Sequence, residues 1–136
     1  MRLVLDTNVV VSALLWHGTP NTLLKTVSAK DTAFFTSSPL LAELADVLSR
    51  SKLQAQIAAV QLSVLELIGI YSASAIKVNP LSLPRTAPDP DDDVVIGTAL
   101  AAEAEFIVTG DRTLLSVAQY QSVKIITVAE ALQMLV

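Results

Sequence analysis

The chain has 136 residues, 52% of them apolar and 16% charged, with a mean hydropathy of +0.57 and a formal net charge of −4. This composition excludes a disordered chain and allows one domain, residues 1–136, with a sizeable core. Without cysteine there is no disulfide framework, thiolate nucleophile or thiolate zinc site, and a reducing cytoplasm is expected; the acidic balance disfavours nucleic acid unless a bound cation changes the local charge.

RLVLD at the start is a short apolar, β-branched run that predicts a buried strand, and TNVVVSALLW continues as a helix capped by Thr7 or Asn8. Asp6, Thr7 and Asn8 interrupt the first apolar stretch, so no secretory leader is expected. HGTPN reads as a turn, with Pro20 opening a second helix to about residue 29. TAFFTS is the second strand, and SPLLAELADVLSR a helix with Ser38 as cap and Pro39 in its first turn. From Leu53 the apolar residues step by fours and threes to Tyr71, which predicts one long helix with Leu62 and Leu65 off its inner stripe. Gln61, Ser63 and Glu66 make residues 57–71 too polar for a membrane span, so no membrane association is expected.

AIKVN is a third strand and LSLPRTAPDP a proline-marked loop. DDDVVIGTALAAEA then predicts a helix, EFIVTGD a fourth strand, RTLLSVAQ a short helix, KIITV a fifth strand and AEALQML a closing helix. Strands separated by helices imply an α/β fold with a mainly parallel sheet covered on both faces. In such sheets functional groups gather beyond the carboxyl ends of the strands. Asp6 ends the first strand and Asp111 follows the fourth, so the two meet if those strands are neighbours.

DPDDDVV raises a separate question, because four aspartates fall within five positions just ahead of a helix. Capping needs one or two of them; the surplus points to a cation, a partner or a substrate. Glu43, in the helix after the second strand, can reach back toward the strand ends, and Asp93 starts its helix one turn before Ile96 and Gly97. Clustered carboxylates without His or Cys suit a hard divalent ion, which prefers oxygen ligands and activates bound water. The plainer reading of each acid is a cap or a solvated helix residue, and for Asn8 and Thr109 capping and function stand level.

LVLDTNV, the Glu of LLAELADVL, the DxxI of DDDVVIGTAL and VTGD before a short helix together resemble the PIN domain, in particular the VapC-like ribonucleases of toxin–antitoxin pairs. The resemblance implies a three-layer α/β/α fold with a five-stranded sheet in the order 3-2-1-4-5. It implies that Asp6, Glu43, Asp93 and Asp111 form an acidic quartet that binds Mg²⁺ or Mn²⁺ and hydrolyses RNA. Asn8 and Thr109 match its polar neighbours, and the spacing to Thr109 selects Asp93 over Asp89, Asp91 and Asp92. An antitoxin and a second copy of the chain are the protein partners it implies, along the helical layer of residues 40–71. Leu62 and Leu65 supply the extra apolar face for that contact.

Two other function classes stand beside the nuclease. One is a protein-binding module with an idle acidic site. The other, an aspartyl phosphohydrolase, is weakened because DTN lacks the second aspartate of a DxDxT loop. His17 reads as a loop residue and Trp16 as core or interface. Arg85 and Arg112 are placed to hold phosphates or to be solvated, and Arg50 and Lys52 to extend an RNA path.

Overall fold

The computed structural model describes residues 1–27 and 31–135. At its centre is β1 (Arg2–Leu5), flanked by β2 (Ala33–Thr36) and β4 (Phe106–Val108), both parallel to it. β3 (Ala75–Lys77) extends the sheet beyond β2, and β6 (Val123–Ile126) extends it beyond β4. The order β3-β2-β1-β4-β6-β5 contains the expected five-strand order and adds β5 (Gln119–Tyr120), an antiparallel edge strand paired to β6. The short helix expected over RTLLSVAQ ends at Leu115, and its last expected residue, Gln119, is in this strand, whose two residues of pairing leave little periodic signal.

Alternation along the strands divides the core in two, because successive side chains leave a strand on opposite faces. Leu3, Leu5, Phe34, Val108 and Ile126 pack on one face against α1 (Thr7–Leu15), α2 (Thr19–Val27), α3 (Ser38–Leu48) and α8 (Val128–Leu135). Val4, Phe35, Ile107 and Ile125 pack on the other against α6 (Pro90–Ala101) and α7 (Arg112–Leu115). The layers are therefore helix, sheet, helix, as expected. The predicted end of the second helix near residue 29 lies outside the described residues.

The single long helix expected from Leu53 to Tyr71 is instead a 3-10 turn (Ser51–Leu53), α4 (Gln54–Val60) and α5 (Val64–Ser74), with a 74° bend between the two stretches. Gln61 turns left-handed at φ 60°, and Ser63 and Glu66 close a reciprocal capping box that starts α5. The break keeps Ile57, Leu67 and Tyr71 in the core while Leu65 is left 80% exposed; Leu62, at the break, packs partly against the core. Among the described residues no single helix is long and apolar enough to cross a membrane.

Candidate active site

The order reverses at β1, whose chain neighbour β2 lies on one side and whose later partner β4 lies on the other. This is the point where a parallel sheet opens a crevice at its carboxyl edge. Asp6 follows β1 directly and caps α1, its Oδ1 accepting from Thr7 N at 2.8 Å. Its Oδ2 accepts from Thr109 Oγ1 at 2.7 Å and from Asn8 Nδ2 at 3.4 Å. Thr109 follows β4 and is buried, and its Oγ1 also accepts from Asp111 N at 3.0 Å. Asn8 Oδ1 accepts from Gly110 N at 3.3 Å, so both predicted polar neighbours tie the β1 end to the β4 end.

Asp111 caps α7, its Oδ1 taken by Thr113 N and Thr113 Oγ1 at 3.0 and 2.9 Å. Glu43 Oε2 accepts from Thr7 Oγ1 at 3.0 Å, which links α3 to the start of α1. Thr7 is a supporting residue that the sequence reading assigns only as a possible cap. Its place in DTN, beside Asp6, was the available signal.

Asp93 is not in this group. Its Oδ1 accepts from Ala87 N at 2.8 Å, its Oδ2 from Thr86 N at 3.2 Å, and Arg85 Nε lies 3.3 Å from the same Oδ2. It lines a separate hollow with Pro39, Pro80 and Leu81. The residue that does enter the crevice is Asp92, together with Asp6, Glu43, Asp111 and, at the rim, Asp89 and Asp91. The correction follows from helix geometry, since neighbouring residues point about 100° apart around the axis. Asp92 lies three, four and seven residues before Val95, Ile96 and Ala99, the buried stripe of α6, and is itself only 7% exposed. That stripe was readable in DDDVVIGTA; spacing to Thr109 alone does not separate two adjacent aspartates.

The electrostatics set Asp92 apart. Burial, then the charges of Asp6, Asp111, Asp89 and Glu43, raise its carboxyl to about 7. Burial also raises Asp6, opposed by its bonds from Thr109 and Thr7, and raises Glu43, opposed by Thr7. Asp92 Oδ2 and Tyr71 Oη are the buried side-chain atoms without a hydrogen-bond partner among the described residues. Tyr71 lies in the apolar core beneath the helices, whereas Asp92 faces other carboxylates.

An unpaired buried carboxylate oxygen beside further acids calls for a cation. The donors are all hard oxygens and fit Mg²⁺ or Mn²⁺. Among the described residues no three acids are gathered tightly enough to enclose an ion by themselves.

The comparisons with known proteins bear on the family and the fold. An uncharacterized protein of Methanocaldococcus jannaschii is 28% identical over 117 residues, 85% of this chain and 74% of its own length. VapBC2 from Rickettsia felis, solved bound to a DNA fragment from their promoter, superposes with a TM-score of 0.65 at 19% identity, over 93% of this chain and 98% of that one. FitAcB from Neisseria gonorrhoeae gives 0.51 at 16% identity with the same coverages. At such identities these two structures speak for the fold. The profile of the PIN domain matches residues 2–113, most of the chain and every acid of the crevice, and the chain belongs to the PIN-domain family, whose members are generally nucleases.

Proposed function

We propose that the protein is a divalent-metal-dependent endoribonuclease and the toxin of a toxin–antitoxin pair. The observation that carries the reading is Asp92: a buried carboxylate oxygen without a partner, set among Asp6, Glu43 and Asp111 at the switch point of the sheet. These four would hold Mg²⁺ or Mn²⁺, an ion that lowers the pKa of bound water and neutralises charge on a phosphodiester.

The other residues keep the acids ready. Thr109 and Asn8 donate to Asp6, which holds its carboxylate in place at the end of β1. Thr7 does the same for Glu43, and Thr113 occupies Asp111 Oδ1, leaving Asp111 Oδ2 for a ligand. Without a cation the cluster repels itself, and burial and the neighbouring acids favour the protonated form of Asp92.

The likeness to VapBC2 and FitAcB supports an antitoxin as a protein partner. An antitoxin would cover the crevice, and a homodimer would cover the face on which Leu65 and Ile70 are exposed.

The experiment is cleavage of RNA by purified protein with and without Mn²⁺ or Mg²⁺, with sequencing of the new ends. Cleavage that needs the ion and is lost in Asp6→Asn supports the reading. Cleavage unchanged in Asp6→Asn defeats it, and no cleavage with either ion leaves the protein-binding class in its place.

A further inference from the structure

The crevice does not end at its carboxylates. The same hollow, about 410 Å³, continues past Ser12 and Val47 to Trp16, Arg50 and Lys52. Trp16 is the sole tryptophan of the chain and is 45% exposed. Its backbone is nonetheless held: its N–H donates to Ser12 O at 3.1 Å, and Gln56 Nε2 donates to Leu15 O at 2.8 Å, tying the end of α1 to α4. Trp16 therefore presents an exposed aromatic face on a held backbone and is not a core residue.

The two cations are also open to a ligand. Lys52, in the 3-10 turn, makes no ion pair among the described residues. Arg50 pairs with Asp46 at 3.2 Å, but both side chains are largely exposed, and such pairs exchange readily. One hollow therefore joins carboxylates suited to a metal, an aromatic plate and two cations.

That combination matches a single-stranded polynucleotide, which alternates phosphates with base faces free to stack. A duplex keeps its base faces stacked inside and offers none to an indole. Resting on the nuclease reading above, we propose that single-stranded RNA lies along this hollow. One base stacks on Trp16, Lys52 and Arg50 hold a backbone phosphate, and a nearby phosphodiester is thereby delivered to the acids.

The lone tryptophan makes its own probe. In an Asp92→Asn background, used to prevent cleavage, a ten-nucleotide single-stranded RNA is expected to quench the emission, and a duplex of the same sequence to leave it unchanged. By anisotropy, adding Trp16→Ala should weaken binding about ten-fold, whereas Trp16→Phe keeps most of it. Lys52→Glu should weaken binding and lower the slope of log affinity against log salt by about one. Equal quenching by single-stranded DNA supports the groove and assigns recognition to base and phosphate, not to the 2′-hydroxyl.

Emission that does not move at saturating RNA overturns the proposal. So do Trp16→Ala and Lys52→Glu proteins that bind RNA like their parent. If those variants instead lose a purified antitoxin, the face is a protein-docking surface. Wild type that cleaves RNA while Trp16 stays silent leaves the nuclease reading standing without the groove; quenching without any cleavage does the reverse.

Discussion

The two faces of the first turn of α6 hold adjacent carboxylates under opposite conditions. On the loop face, Asp93 is met by two backbone N–H groups and the Arg85 guanidinium, so its charge is used up in pinning residues 85–87. On the crevice face, Asp92 is more deeply buried, has one oxygen with no partner, and looks toward four other acids. A carboxylate whose charge is met by a guanidinium of its own protein is structural; one buried among like charges is stable only with a proton or a cation. Number of acids in a segment therefore says less about function than which bonds each has left over.

The largest expected contrast is in activity. Asp92→Asn should lower metal-dependent cleavage by at least about a hundred-fold, since even residues that only orient metal ligands contribute ten- to hundred-fold. The same change should leave the metal-free melting temperature unchanged or raised. Asp92→Asn protein that cleaves like wild type would restore Asp93 as the candidate.

The pH dependence of stability sharpens the same point. The raised carboxyl of Asp92, about 7 against 3.8 for an ordinary aspartate, means the folded state holds that proton more tightly. Its stabilising contribution is whole below 3.8 and is lost as pH rises through about 7. Asp6 and Glu43, also raised, act in the same direction. Metal-free wild type should thus melt at falling temperature across this window, and Asp92→Asn should flatten the fall. Calorimetry in EDTA and then in Mn²⁺ decides it, because the ion should remove much of the loss at neutral pH.

Thr109→Ala comes next. Losing the 2.7 Å bond to Asp6 should reduce cleavage about ten- to hundred-fold while the fold persists, visible as weaker Mn²⁺ binding in titration calorimetry. Asp93→Ala should act on stability first, at a cost of about 1.5–3 kcal/mol for charged hydrogen bonds. Its Mn²⁺ affinity should stay near wild type; a loss as large as that of Asp92→Asn would erase the distinction between the two faces. Smallest is Tyr71→Phe, which removes the other unpartnered buried atom and should be neutral or stabilising by about 1 kcal/mol or less in chemical denaturation. A large cost there would mean that an orphaned polar atom is no guide to an external ligand in this protein.

What the chain determines by itself is what depends on local period and on strand ends. Alternating apolar runs mark the parallel strands and their helices, and an aspartate directly after RLVL or within VTGD must emerge at the carboxyl edge of its strand. The bend before α5 is also written locally, since Ser63 and Glu66 stand at capping-box spacing, a signal that reading the apolar stripe as one long helix leaves unused. Tertiary structure alone decides what depends on how elements dock. The β5 hairpin is defined by its partner strand, and Trp16 reaches the crevice only because α1 ends against α4. The choice between Asp92 and Asp93 turns on about 100° of helix rotation, and the packing of Val95, Ile96 and Ala99 on the sheet sets that rotation for the whole helix.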